Sequence, residues 1–506
     1  LWVFGEEDGV FDNSDYVAFY AQGPDDWVVT DANVVSHRKN IYSDHSYYFL
    51  SVDNGQGKRI QEQIPIAAMA THVVTTSKTY EFFEEEKVNL LNTGQQWFGD
   101  LFTRNSTAKN YQFRFDNLDT SQEVRVRVRA MAKSPVSSSM PVQINQNNAF
   151  DLNFSPISAG AFVKANAKIA ENSAQLSSED VTVTVQYNNT TDPAGFARLD
   201  YIEVIADKNL VAEGTQFGFR NFLSKEAGNV LEYSVANAAE IDQLWDVTDQ
   251  LNPKKIQNLQ PGMSDFVFKG GGGELKEYVV VSEMDFHIPT IPENPLVANQ
   301  NLHALKDVQY LIVTNANLAS EAQRIADYHI VNSGLTVEVV TLDKIYNEFG
   351  SGSKDITAIR DFVKHLYDTA TTDGMRVKYL CLFGDATYDY KDILSKNKGK
   401  NIVPVYMPYR SFSLTYSYVT DDYYGMMDAG EGGMESTDKQ DVATGRILVA
   451  NEKEAKIVVD KILNYYNSET AGDWRNEITL LADDVDRSTE AVLQEDMEFI
   501  ADQIKG

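Results

Sequence analysis

The run VKYLCLFGDATYDYK, residues 377–391, holds Cys381, the one cysteine of a 506-residue chain, and its reading decides how the second half folds. Apolar residues fill every position from Tyr379 to Phe383 and stop at Gly384 and Asp385. A strand exposed on one face alternates apolar and polar residues, whereas a strand covered on both faces is apolar throughout. The run therefore reads as a central strand of a parallel sheet. Cys381, between Leu380 and Leu382, then has no path to solvent. A thiol buried in apolar surroundings keeps a high pKa and is inert, so Cys381 is assigned to the core and not to a nucleophile. Ligands of open sheets gather beyond the carboxyl ends of the strands, where Gly384 and Asp385 fall.

The neighbouring sequence agrees with that sheet. VQYLIVT (308–314) and LTVEVVT (335–341) read as strands, and SEAQRIADYHIVNSG (320–334) between them as a helix. DITAIRDFVKHLYDTA (355–370) is a helix opened by Asp355, with Ile356, Ile359, Phe362, Val363 and Leu366 on one face. NEKEAKIVVDKILNYYN (451–467) starts with Asn451 and Glu454 at capping-box spacing, and EITLLAD (477–483) reads as a last strand. Alternation of strand and helix predicts a mostly parallel sheet with helices on both faces.

Before residue 290 the texture differs. DYVAFYA (15–21), SYYFLSV (46–52), YQFRFDN (111–117), VRVRVRAMA (124–132), VTVTVQY (181–187) and ARLDYIEVIA (197–206) read as strands. From Val124 to Arg129 valines share one face; Arg125, Arg127 and Arg129 share the other, expected to be solvated. GGGG at 270–273 lacks a following Lys-Ser/Thr and reads as a hairpin turn, not a phosphate cradle. HIPTIPENP (287–295) reads as a linker. The expected fold is multidomain, β followed by α/β. A β-rich domain spans 1–105, a second β-sandwich-like domain 106–290, an α/β subdomain 291–473, and the start of a further subdomain 474–506.

Lys and Arg number 44 against 74 Asp and Glu, a net charge of −30 with a pI near 4.6. So acidic a chain repels nucleic acid, and no basic cluster offsets the repulsion. One cysteine rules out an intramolecular disulfide framework and a thiolate zinc site. His329 and His365 fall on predicted helices without a second ligand at i+4, which argues against zinc there. No run of eighteen apolar residues is present, so no segment reads as a membrane-spanning helix. The chain begins at Leu1 and both ends cut through what read as regular elements, so missing targeting signals carry no weight. Carboxylates recur in loops: Asp385 and Asp389, Asp421 and Asp422, then Asp483, Asp484 and Asp486. Asp8, Asp12 and Asp15 share an N-terminal turn. Hard oxygen ligands of this kind suit calcium, and turn or helix capping is the competing use.

The second half resembles the gingipain family of cysteine peptidases. The stretches that carry the resemblance are YLIVTNANL (310–318), VVTLDKIYNEFGSGSKDITAIRDFV (339–363), YLCLFGDATYDYK (379–391), YVTDDYYGMMD (418–428), VATGRILVANEKEAKIVVDKILNYY (442–466) and WRNEITLLADD (474–484). In the first half EEDGVFDNSDYVAFYAQGPDDW (6–27), YSDHSYYFL (42–50), NLLNTGQQWFGDLF (89–102) and LWDVTD (244–249) are similar to the gingipain-type signal peptidases of the type IX secretion system.

The resemblance implies a caspase-like α/β fold and a place at the bacterial outer-membrane surface. It implies removal of a C-terminal sorting domain from secreted cargo, with lipopolysaccharide as an amine acceptor for the new carboxyl end. An outer-membrane barrel, PorV in this group, is the implied partner, and no cofactor is required. The implied chemistry is thiolate attack with a histidine as acid and base, through a thioester. Family members carry the histidine in a His-Gly pair and the cysteine in a Cys-Glu pair. Here none of His37, His45, His72, His287, His303, His329 and His365 precedes a glycine, and Cys381 precedes Leu382. The expectation is therefore the N-terminal part of a larger enzyme, with no catalytic residue in this chain. Asp385, Asp421 and Asp422 are expected at the rim of the substrate site. The alternative is a surface interaction protein that keeps the scaffold without the dyad.

Overall fold

The computed structural model describes residues 2–504 apart from 5–7, 11, 14, 32–33, 52–54, 56, 190, 213–215, 468–470, 483 and 486–490. Its first half is built from two β-sandwiches. One packs the sheet of Thr76–Glu84, Leu101–Thr103, Glu123–Lys133, Asn166–Gln175 and Phe196–Asn209 against that of Lys109–Arg114, Ser138–Ile144, Asn147–Phe154 and Asp180–Val185. Val124, Val126 and Val128 point into this core, as their alternation requires. The other joins Gln61–Glu62, Phe217–Arg220, Gln243–Asp246, Lys254–Lys255 and Glu277–Val281 to a sheet of His72–Val74, Val230–Val235 and Phe266–Gly271. The division expected at residues 105 and 106 is thus corrected. The 76–209 sandwich is inserted in a module made of chain from both sides of it, because strand pairing is non-local and alternation names strands, not their partners.

Three further expectations change. GGGG does not close a hairpin: Phe266–Gly271 pairs with Val230–Val235, whereas Glu277–Val281 pairs with Phe217–Arg220 and Gln243–Asp246, so the glycines carry the chain between sheets. SYYFLSV, described up to residue 51, forms no strand; Tyr47, Tyr48, Phe49 and Leu50 lie exposed on a strap along the molecule. The arginine face is not solvated. Arg127 stands opposite Glu203 and Glu171 in the sheet and pairs with both, at 2.7 and 2.6 Å. Arg129 pairs with Asp200. The hairpin of Asp26–Asp31 and Val34–Arg38 brings Val35 to this face, and its carbonyl accepts from Arg127 Nη1 at 2.8 Å.

The α/β region is the expected one. Four parallel strands run in the order Val337–Thr341, Tyr310–Thr314, Tyr379–Phe383, Ala443–Ile447. The two central strands are buried almost throughout. Helices α1 (Ala319–Ser333), α2 (Leu342–Phe349), α3 (Ile356–Asp368), α4 (Glu452–Tyr466) and α5 (Ala491–Ile504) follow in order. α1 packs with α4, where Arg324 pairs with Asp460 at 2.6 Å, and α2 packs with α3. The predicted caps form: Asp355 accepts from the Thr357 N–H at 2.7 Å, and Asn451 from the Glu454 N–H at 3.0 Å. EITLLAD, described to residue 482, forms no strand, and Ile478 and Leu481 are exposed. β structure needs a neighbouring edge to satisfy its backbone, and none meets this segment among the described residues. Among the described residues no helix is long and apolar enough to cross a membrane.

The front module docks on the α/β region through the 89–102 segment. Gln96 N–H donates to Ser411 Oγ at 2.7 Å and Gln95 Nε2 to the Met407 carbonyl at 2.7 Å. Gly94, with φ +80°, lies so close that a Cβ would collide with the Arg410 carbonyl. Lys391, its side chain 3% exposed, holds Asp44 at 2.8 Å and Glu86 at 3.0 Å, tying strap, front sheet and α/β region together.

Candidate functional site

The carboxyl ends of the parallel strands carry the groups that sequence reasoning singles out. Thr314 Oγ1 donates to the Phe383 carbonyl at 2.7 Å and joins the two central strands at this end. Gly384 follows; a Cβ there would lie 2.5 Å from Ile402 Cγ2, so the chain turns only where no side chain is present. Asp385 is stitched in by its backbone: its N–H donates to the Val449 carbonyl, and its carbonyl accepts from Ile402 and Val403, each at 3.0 Å. Burial, with Glu454 nearby, raises its carboxyl above the usual carboxylate range, against the pull of Arg446.

Arg446 organises this end. Its guanidinium clasps Asp421 at 2.7 and 2.9 Å and donates to the carbonyls of Gly384, Val403 and Pro404 at 2.8, 2.6 and 3.2 Å. Asp421 is thereby an internal anchor, paired with Arg446. Asp422 is exposed, its N–H bonded to Thr420 Oγ1 at 3.1 Å, and its carboxylate accepts from no described residue. Asp389 is fully buried and pins the following loop, accepting from the Ile393 and Leu394 N–H groups at 2.8 and 2.7 Å.

Cys381 is 5% exposed and in register with Ile312 and Gly445. Burial pushes its thiol up to about 12, over the opposing influence of the Tyr310 hydroxyl and Arg446, and no imidazole acts on it. The expected result is that the native protein releases no chromophore from Ellman's reagent within minutes and one equivalent after unfolding. Rapid labelling of the native thiol would refute its place in the core. His303 and His365 are neighbours, with ring centroids 5.3 Å apart, and neither acts on Cys381. His37 lies in the front sandwich, His303 pairs with Glu348 at 2.8 Å, and His329 Nδ1 is 3.0 Å from Ser333 Oγ.

Asp8 and Asp15 act in their turn as local acceptors, from the Val10 N–H at 2.8 Å and the Asp12 N–H at 3.1 Å. Among the described residues no three His, Cys, Asp or Glu side chains converge so as to hold a metal ion. Asp483 and Asp486 lie outside the described residues.

A cleft at the carboxyl ends of Tyr310–Thr314 and Val337–Thr341 escaped the sequence reading. It is bounded by Asn315 and Leu342, the residues that immediately follow those strands, and by Tyr42 from the strap. The signal for it was present: both strand ends were legible, and only the return of residue 42 over them was not.

Residues 303–506 match the model of Peptidase family C25. The fold over 96% of the chain is that of dimeric latent PorU from Porphyromonas gingivalis, with a TM-score of 0.82 and 24% identity. The chain spans 46% of the length of that protein. A family 35 carbohydrate-binding module from an environmental isolate aligns with 25% of this chain and 96% of its own at 15% identity and a TM-score of 0.19. No curated protein matches the sequence.

Proposed function

We propose that this chain forms the β-rich front and first caspase-like subdomain of a cysteine endopeptidase of the type IX secretion system. The enzyme acts at the outer-membrane surface, removes the C-terminal sorting domain of secreted cargo and passes the new carboxyl end to a lipopolysaccharide amine. An outer-membrane barrel of the PorV kind holds it there. The observation that carries this reading is the fold shared with PorU across both the front sandwiches and the C25-type region. In this reading the thiol and imidazole belong to a further part of the enzyme, outside these 506 residues, and Asp385 and Asp422 line the substrate rim.

The second reading, a non-catalytic surface scaffold, is favoured by one observation: the single cysteine is core and no histidine accompanies it. The two separate on the natural protein incubated with a cargo that ends in its sorting domain. Cleavage at one site, blocked by a thiol alkylator, is the expected result. Cargo that remains intact with the natural protein supports the scaffold and overturns the enzyme. Within the enzyme, Asp385→Asn and Asp422→Asn are each expected to slow cargo processing several-fold with the melting temperature nearly unchanged. Wild-type rates in both variants would remove these carboxylates from the site.

A further inference from the structure

The cleft beyond the Tyr310–Thr314 and Val337–Thr341 strands is built from acidic and phenolic groups. Asp343 at the start of α2, Asp355 at the cap of α3 and Asp392 after the central strand all border it. Asp355 spends one oxygen on the Thr357 N–H and Asp392 one on the Gly399 N–H at 3.0 Å, while Asp343 accepts from no described residue. The only cationic side chain on the lining, Lys354, is exposed and within 4 Å of no carboxylate among the described residues. The cleft's own cation has therefore not neutralised it.

A second observation points the same way. Tyr346 is 6% exposed, yet its hydroxyl meets no hydrogen-bond partner among the described residues. It borders the cleft, and after burial the charges of Asp355 and Asp343 are what raise its pKa, which places the hydroxyl in their field. The hydroxyl opens to the cleft, where a ligand can supply its hydrogen-bond partner. Tyr42 and Tyr390 add aromatic walls of the kind that suit a cation. The volume is about 200 Å³, below the roughly 300–1,000 Å³ that encloses a drug-sized ligand, so it admits one side chain or a small amine.

We infer that this cleft is a binding site for an ammonium or guanidinium group, held between Asp343, Asp355 and Asp392 with the Tyr346 hydroxyl as an additional hydrogen-bond partner. Because Tyr42 comes from the strap and the carboxylates from the α/β region, an occupant would also fasten the two together. The site stands on its own geometry and is independent of any peptidase activity.

The test is calorimetric titration of the protein with N-acetyl-lysine amide and N-acetyl-arginine amide as peptide side chains. Cadaverine and agmatine serve as the free amines, and N-acetyl-norleucine amide as the uncharged match. Cationic probes are expected to bind with a dissociation constant on the order of 1 mM and the norleucine amide at least about tenfold more weakly. Tighter binding of the amides than of the free amines identifies a polypeptide as the source of the cation, and the reverse order a free amine. Tyr346→Phe should weaken binding about fivefold, and Asp343→Asn with Asp355→Asn by at least about tenfold. Asparagine also caps helices, so the double variant should keep its melting temperature. Equal affinity for the norleucine amide, no saturable binding of any cation, or undiminished affinity in a folded double variant would overturn the site.

Discussion

Replacement of Arg446 by alanine is expected to cost the α/β region about 3–5 kcal/mol, the loss typical of a buried ion pair deprived of one partner. The Arg446 side chain is 9% exposed and the Asp421 side chain 20%. Truncation leaves the Asp421 carboxylate without its cation and takes the guanidinium bonds from the carbonyls of Gly384, Val403 and Pro404. Those carbonyls belong to the loop that leaves the central strand, so the damage should be local to the carboxyl end of the sheet. Hydrogen exchange at amides 379–385, 402, 403 and 405 reads it directly, without assuming that the whole chain unfolds in one step. Asp421→Ala should cost less, because Arg446 keeps its three carbonyls, and the double variant should fall well short of the sum of the two. Unchanged protection of these amides in Arg446→Ala would mean that the clasp is ornamental and that Asp421 is free to face a substrate.

The second large effect is expected at His37. This side chain is 2% exposed, with Nε2 2.5 Å from Glu84 and Nδ1 2.7 Å from Glu203, and its ring stacks on Phe82 at 4.2 Å. Glu203, fully buried, is shared with Arg127, which also holds Glu171. Burial by itself lowers the histidine pKa, but the hydrogen bonds and charges of Glu203 and Glu84 outweigh it and raise the value to about 9. His37→Leu leaves Glu84 without its partner and Glu203 with one cation instead of two, a loss of about 3–5 kcal/mol. A proton held more tightly in the folded state stabilises that state, fully below the unfolded value of roughly 6.5. The gain disappears as the pH rises through about 9. The stability difference between wild type and variant should therefore be largest near pH 6 and shrink toward pH 10. A difference that stays constant or grows with pH would show that His37 is neutral in the fold.

Parts of this design are legible in one dimension. The five apolar residues of 379–383 require cover on both faces, and the helix pairs provide it. Asp355 and Asn451 cap because an Asp or Asn side chain reaches the N–H two or three residues on, a relation within one turn. The core position of Cys381 follows from its immediate neighbours. The arginine face shows where local reading stops. Arg125, Arg127 and Arg129 alternate as a solvated face would, and Glu203 and Asp200 sit in ARLDYIEVIA some seventy residues later. Only the antiparallel register sets Arg127 opposite Glu203, and only the 26–38 hairpin then covers the pair.

The sequence by itself determined the class of most segments, SYYFLSV and EITLLAD excepted, the capped helix starts and the burial of the central strand, since these depend on contacts within a few residues and on which faces water can reach. Tertiary structure decided which strands pair, so that GGGG links two sheets and EITLLAD stays unpaired. It also decided which carboxylates do structural work: Asp421 is consumed by Arg446 and Asp389 by its own loop, while Asp422 stays exposed. The strap decided the rest, carrying Tyr42 across the strand ends to wall a cleft whose other groups lie some three hundred residues away. These outcomes rest on contacts between distant segments, where a backbone group or a charge is satisfied by whichever partner the whole fold presents, and no local pattern encodes that partner.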